Sequence, residues 1–317
     1  MKSTIKNIFN VLRIRQYYKN VLIFVGSFFG GKLLDISLLP VLILGFVILC
    51  CASSINYIIN DIIDIEKDKL HPEKLEKKAL ASGRLSVKFA LALIASLSTI
   101  IIILLIFLIP NLNFIIMLVL VFGTGQFYNY LFKKFAFIDI LVLALIYLWR
   151  ALAGCVLIDV IVSPWLIFAV YEVALFLVIA KRKGDLILLG EEKAKVHKKI
   201  YEQYNMKLLE QFHTITAATI LITYIMYLIF QFYIFEEELR FFYQYLIILS
   251  IPTMFYIIMR YMYLTTAKPE IARSTEKVIL DKGILIAGLF LGAIFFFTFY
   301  YMDIKQILYD LFKISLP

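Results

Sequence analysis

Long runs of apolar residues are the feature that most constrains what this chain can fold into. A helix needs about 20 apolar residues to cross the roughly 30 Å hydrocarbon core of a bilayer. The sequence predicts nine such helices, at 20–38, 39–59, 86–109, 112–130, 136–157, 163–181, 208–233, 241–263 and 280–302. The runs do not alternate with polar residues, so they do not indicate strands of a barrel. The first run is the weakest, because several glycines and Lys32 interrupt it.

Composition supports an all-α, polytopic membrane protein. Hydrophobic residues make up 62% of the chain and charged residues 17%, whereas a soluble domain is about a quarter charged. The surplus apolar surface must therefore face lipid. We predict a single membrane domain over 1–317. Amphipathic patterns at 1–19 and 303–317 predict interfacial segments that lie along the membrane.

The basic residues fall on one side of this predicted topology. Of the 32 Lys and Arg residues, 27 lie before the first span or in the loops after the second, fourth, sixth and eighth spans. The positive-inside rule then predicts a cytoplasmic N-terminus and an active face toward the cytoplasm of a cell membrane. A net charge of +9 is explained by this placement and does not require a nucleic-acid partner. The oligomeric state stays open.

Three acids close the second predicted helix. Asp61, Asp64 and Asp68 have the spacing i, i+3, i+7, which places three carboxylates on one helical face. Hard oxygen ligands of this kind suit Mg²⁺, which indicates a metal site. The alternative is a solvated helix end with Lys67 and Lys69 as counter-ions.

Cations follow the acids in the sequence. Pro72 disfavours a helical conformation at His71, so the chain is expected to turn there. The basic residues that then return beside the acids are Lys74, Lys77, Lys78 and Arg84. Acids that hold a metal beside bases that hold phosphate oxygens form the pattern of a Mg²⁺–diphosphate site.

The segment from Asn60 to Arg84 resembles the NDxxDxxxD-x-x-HPxK…SG signature of the UbiA superfamily of intramembrane prenyltransferases. Further segments resemble its decaprenyl-phosphate phosphoribosyltransferase branch, and they lie at 13–20, 130–139, 150–154, 165–186 and 260–281. Two positions depart from that pattern. Lys77-Lys78-Ala79 stands where the family usually has Arg-Pro, and either Asp185 or Glu191 takes the place of an acid that is often Glu.

The resemblance implies a nine-helix bundle, Mg²⁺ as cofactor, and transfer of 5-phosphoribose from phosphoribosyl diphosphate to a polyprenyl phosphate. It also implies that Asp61, Asp64 and Asp68 bind the metal and are catalytic. A set of substrate-binding residues is expected around them. These are Asn60, Lys74, Lys19, Gln16, Asn20, Arg84, Tyr130, Lys133, Lys181, Arg182 and Asp185.

The segment that follows the sixth predicted span distinguishes between the candidate reactions. Aromatic prenyltransferases of this superfamily carry a second acidic motif, often DxxxD, whereas residues 181–185 here read KRKGD, with one acid among three cations. Two phosphate-bearing substrates suit a site that is rich in cations and poor in acids. A helix end on the positive-inside face would carry the same cations, and aromatic prenyl transfer is the alternative reaction. A transporter is a distant third, because Arg150 and Glu172 are nearly the only mid-span charges.

Overall fold

Helices account for the part of the chain that the structure describes. The computed structural model describes residues 2–70, 72–161, 163–190, 192–194, 199–232, 246–273 and 275–313, and these contain no strand. The α-helices are α1 Lys2–Leu12, α2 Val25–Phe29, α3 Leu39–Ile63, α4 Ile65–Lys69, α5 Pro72–Lys77, α6 Val87–Phe107, α7 Leu112–Tyr130, α8 Ile138–Leu157, α9 Pro164–Leu189, α10 Met206–Phe232, α11 Ser250–Ala267, α12 Pro269–Arg273 and α13 Lys282–Phe312. Segments of 3₁₀ helix lie at Ile14–Phe24, Ile36–Leu38, Phe132–Lys134, Lys199–Glu202, Ile247–Leu249 and Thr275–Leu280. The all-α prediction is confirmed for the described residues.

Eight helical segments among the described residues are long and apolar enough to cross a membrane. They correspond to the second through ninth predicted spans. The first predicted span, 20–38, is wrong as one helix: the 3₁₀ segment ends at Phe24, α2 ends at Phe29, and Gly31 adopts a positive φ of 67°. Glycine accepts that backbone conformation without steric cost, so the chain turns where the sequence is interrupted. The count of nine spans and the cytoplasmic N-terminus stay predictions.

The C-terminal helix is longer than predicted. Helix α13 runs without a break from Lys282 to Phe312, whereas the sequence predicted a span that ends at 302. No glycine or proline interrupts residues 293–312, and Gln306 donates to both carboxylate oxygens of Asp310 one turn later, at 3.0 and 3.1 Å. The last turns therefore continue the same helix. Their place along the membrane surface stays a prediction, as does that of α1.

The described chain packs as two compact units, and helix α8 contributes to both. Residues 1–133 and 145–162 form the first unit, and residues 134–144 and 163–317 form the second. In the first unit, α3 packs against α1, α6, α7 and the 3₁₀ segment Ile14–Phe24. In the second unit, α9 packs against α10 and α12, and α11 packs against α13.

A glycine allows the closest backbone approach in the first unit. Gly154 of α8 lies against Ile23, and a Cβ atom at this position would overlap the carbonyl oxygen of Ile23. Ile23 itself is fully buried in the core that includes Ile48 and Phe114. The 3₁₀ segment and α8 therefore meet through main-chain atoms.

We expect Gly154→Ala to destabilise the protein by about 1–3 kcal/mol, because the added methyl group forces two packed backbones apart. Thermal unfolding of purified protein in detergent measures the effect. Gly123→Ala in α7 is the matched control, because a Cβ there meets no atom within 4 Å, and we expect it to be neutral or slightly stabilising. Equal unfolding temperatures for the two variants would contradict the close approach.

Candidate functional site

The predicted acidic cluster lies at a break between two helices of the first unit. Helix α3 ends at Ile63 and α4 begins at Ile65, with Asp64 between them at φ −90° and ψ 7°. The Asp64 amide donates to the Asn60 carbonyl, and the Asp68 amide donates to that of Asp64. The chain thus keeps a helical course through the break. Asp61 and Asp68 are 5% and 1% exposed, so both carboxylates need nearby compensation.

Lysine and arginine supply that compensation. The Lys78 ammonium lies 2.8 Å from Oδ1 of Asp61 and 2.5 Å from Oδ2 of Asp68, so one cation joins two carboxylates. Nη2 of Arg13 lies 2.7 Å from the same Asp61 oxygen. Two buried acids are thereby held by two basic side chains.

The third acid of the motif has a different partner. Asp64 lies 3.4 Å from the Lys133 ammonium. Within the described residues, no three His, Cys, Asp or Glu side chains are arranged to hold a metal ion together. Asp64 therefore contacts a different cation from the one that joins Asp61 and Asp68, and the shared metal site of the three acids stays a prediction.

The chemistry of the acid pair nevertheless suits a divalent cation. Asp61 and Asp68 offer oxygen donors, both are buried, and they already share a cation between them. Mg²⁺ is commonly bound by one or two carboxylates, together with water and substrate phosphate oxygens. Of the three predicted ligands, Asp61 and Asp68 are the two that one cation already joins.

A chain of polar contacts extends from Asp61 to two other predicted residues. The Arg13 guanidinium lies 4.6 Å from the ring centre of Tyr57, and the Tyr57 hydroxyl donates to Oε1 of Gln16 at 2.8 Å. Lys19 donates to the same Gln16 oxygen at 3.0 Å. The structure therefore brings Gln16 and Lys19 into the network of the acid pair.

Arg13 is a candidate site residue that the sequence analysis does not name, since it contacts Asp61. It has a positive φ of 52°, which is uncommon for a residue with a side chain and is often found at functional sites. The sequence does contain a signal for Arg13, because this residue is the first of the segment at 13–20 that resembles the family. Only the later residues of that segment were chosen as candidates.

The remaining candidates of the first unit lie in varied settings. Asn20 is fully buried, donates to the Cys50 sulfur at 3.3 Å and accepts from Ser53, which favours a structural role. Arg84 is exposed and donates to Ser82 and to the Glu76 carbonyl. Tyr130 is 55% exposed at the end of α7, Asn60 is half-buried, and the Lys74 side chain lies outside the described residues.

A second charged network, within the second unit, involves two predicted phosphate-site residues. Arg182 of α9 is 2% exposed and makes two contacts of 2.8 Å with Oδ2 of Asp139, through Nε and Nη2. The other oxygen of Asp139 accepts from the Tyr204 hydroxyl at 2.7 Å. Tyr204 in turn accepts from the Phe137 amide. This arrangement fixes the start of α8 against α9 and the chain that precedes α10.

Asp185 belongs to the same buried region. It accepts from the Tyr201 hydroxyl at 2.6 Å and from Nε of Arg273 at 2.8 Å, and it is 5% exposed. Burial raises the pKa of Tyr201, so its hydroxyl keeps the proton that it donates. The predicted alternative acid, Glu191, lies outside the described residues.

These contacts favour a structural role for Arg182 and Asp185 in place of the predicted contact with substrate. Both lie on the buried face of α9, where helix periodicity places residues three apart together. Lys181, by contrast, is exposed. The sequence showed the charges of this segment but not which of them turn inward.

A sequence model of the UbiA prenyltransferase family matches residues 21–275. The chain belongs to this family. UbiA-type proteins are intramembrane transferases, and this UbiA member shares their apolar helices. The family resemblance predicted from the motifs is confirmed.

Curated relatives of this UbiA protein are named decaprenyl-phosphate phosphoribosyltransferase. The relative from Mycolicibacterium smegmatis is 28% identical over 229 residues, which cover 70% of each chain. The relative from Corynebacterium glutamicum is 26% identical over 239 residues, or 70% of this chain and 67% of that one.

Solved structures of UbiA proteins share the fold. A UbiA homologue from Archaeoglobus fulgidus bound to GPP and Mg²⁺ superposes with a TM-score of 0.66 at 18% identity, over 92% of this chain and 98% of that one. A digeranylgeranylglyceryl phosphate synthase gives 0.61 at 18% identity, over 94% and 99%.

We expect Arg182→Met to destabilise the protein by about 3–5 kcal/mol, because Asp139 would keep a buried charge without its cation. Chemical or thermal unfolding in detergent measures the loss. Lys181→Met is the control, since it removes the same charge from an exposed neighbour and should change stability by less than about 0.5 kcal/mol. A stable Arg182→Met protein that lost only affinity for phosphate would restore the predicted substrate role.

Proposed function

We propose that this UbiA-family protein transfers 5-phosphoribose from phosphoribosyl diphosphate to a polyprenyl phosphate, with Mg²⁺, at the cytoplasmic face of the membrane. The family membership supports a transferase that works within the membrane. The names of the curated relatives support the phosphoribosyl donor and the lipid phosphate acceptor.

The observation that carries this proposal is that the Asp185 carboxylate is already bonded to protein side chains. It is the single acid of residues 181–185, and its oxygens are bonded to Tyr201 and Arg273 within the second unit. Aromatic prenyl transfer in this superfamily uses a second acidic motif to help bind a prenyl diphosphate. In this segment the acid already has protein partners, while the exposed Lys181 stays a predicted phosphate ligand.

The first unit supplies the charges that a diphosphate donor requires. Asp61 and Asp68 would hold Mg²⁺, with Asp64 beside them. When bound, Mg²⁺ would offset the negative charge that develops on the departing diphosphate. Arg13 adds positive charge at Asp61, and Lys133 adds it at Asp64. Gln16 and Lys19 are connected to Arg13 through Tyr57.

The reaction exchanges one bond at C1 of the ribose. The bond from C1 to the diphosphate oxygen breaks, its electron pair leaves with the diphosphate, and a bond from C1 to an oxygen of the lipid phosphate forms. The acceptor is already an anion, so no side chain has to remove a proton from it. The protein's task is to position two anionic substrates and to stabilise charge, which suits a site of ion pairs.

We expect purified protein to convert labelled phosphoribosyl diphosphate and a polyprenyl phosphate into a lipid-extractable product. Asp61→Asn should lower kcat/KM by about 10²-fold or more, because it removes a charged ligand of the metal. Glu66→Gln is the matched control, since Glu66 is an exposed acid that pairs with Lys69 on the surface of α4, and it should keep normal turnover.

Two results would count against the proposal. One is the absence of labelled lipid while the same preparation joins an allylic diphosphate to an aromatic acid, which would favour the alternative reaction. The other is full activity of Asp61→Asn.

We further expect a chelator such as EDTA to abolish turnover and added Mg²⁺ to restore it, because Asp61 and Asp68 can bind the donor's diphosphate only through a cation. The assay compares initial rates before chelation, after chelation and after excess Mg²⁺. Unchanged rates in the chelator would show that the transfer needs no divalent ion.

A further inference from the structure

The position of Lys78 is set by a buried turn. Ala79, Leu80 and Ala81 directly follow it and are almost fully buried, and the first two belong to a core that includes Val11 and Ile58. The Ser82 amide donates to the Lys78 carbonyl at 3.1 Å, which closes the turn. The main chain at Lys78 is therefore anchored beside the acids, while the four-carbon stem of the side chain can still move.

The Lys78 ammonium lies where a metal ion between Asp61 and Asp68 would lie. It contacts one oxygen of each, at 2.8 and 2.5 Å. An ammonium and a divalent ion cannot share that space, because two cations a few ångströms apart in a partly buried site repel strongly. Entry of a divalent ion therefore requires the lysine to leave.

Arg13 differs from Lys78 in this respect. Its guanidinium binds the same Asp61 oxygen as Lys78 and also lies over the Tyr57 ring. A planar guanidinium held by both a carboxylate and an aromatic face is less free to move than a flexible ammonium. Of the two cations at the acid pair, Lys78 is thus the exchangeable one and Arg13 the fixed one.

We propose that Lys78 is a tethered cation that occupies the space between Asp61 and Asp68 in the free protein and gives it up to a divalent ion. The identity of that ion as Mg²⁺ rests on the proposed function. The exchange makes metal binding weak in the free protein. It becomes favourable when a diphosphate arrives with the metal, because the displaced ammonium can then bind phosphate oxygens.

The first experiment measures binding of Mn²⁺ alone to the detergent-purified protein, from the electron paramagnetic resonance signal of free Mn²⁺. Lys78→Met and Lys78→Gln should bind Mn²⁺ on the order of tenfold more tightly than the wild type, since the competing cation is gone. Lys78→Arg should stay near the wild type. Lys69→Met is the matched control, because it removes the same charge from an exposed pair with Glu66, and it should leave the affinity unchanged.

A second measurement uses the wild-type protein, and it tests the displacement of Lys78 even if the Lys78 variants do not fold. Reductive methylation followed by mass spectrometry reports the reactivity of each lysine. Mn²⁺ should raise the labelling of Lys78 several-fold, because the ion displaces it from the acids, and should not change that of Lys69. Unaltered labelling of Lys78 under saturating Mn²⁺, or neutral variants that bind Mn²⁺ no more tightly than the wild type, would overturn the proposal.

These readouts use the metal without substrate, so they are independent of the reaction. If the Mn²⁺ results are as expected and labelled lipid is never formed, the proposed function fails and the exchange at Lys78 stands. If labelled lipid is formed and Lys78 does not respond to Mn²⁺, the exchange fails and the proposed function stands.

Discussion

Neutralisation of two buried carboxylates is the interaction on which the first unit depends. Asp61 lies in the last turn of the strongly apolar helix α3, and Asp68 lies in the short helix α4 that follows it, where an unpaired charge would be costly. The protein meets this need with side chains from two other segments, Arg13 from the N-terminal part and Lys78 from the turn after α5. The site and the packing of these segments are therefore parts of the same electrostatic arrangement.

The second unit also neutralises a buried carboxylate, but with partners that are themselves buried. Asp139 is fully buried and is held by a guanidinium and a tyrosine hydroxyl, neither of which is exposed. Such a pair is expensive to break and cannot readily exchange its cation. The two networks thus differ in their cations: Lys78 of the first is partly exposed, whereas Arg182 of the second is buried between helices.

Periodicity and motif spacing predicted the helical class, eight of the long helices and the acid pair. They failed where a backbone break ends a helix, or where the direction of a side chain determines its partner. The interruption at Gly30 and Gly31 divided the first predicted span. Two different cations hold the three acids, Lys78 at Asp61 and Asp68 and Lys133 at Asp64, and helical spacing alone does not indicate this division. In residues 181–185 the inward turn of Arg182 depends on partners such as Asp139, 43 positions away, which no local pattern reveals.

The uninterrupted course of α13 has a consequence for the surrounding lipid. Its 31 residues rise about 46 Å at 1.5 Å per residue, which exceeds the roughly 30 Å hydrocarbon thickness by about three turns. A rigid rod of that length must tilt, emerge into the headgroup layer or locally thicken the bilayer. Asp303, Lys305 and Asp310 sit in its last turns, so hydrophobic mismatch is relieved most cheaply by emergence of that end.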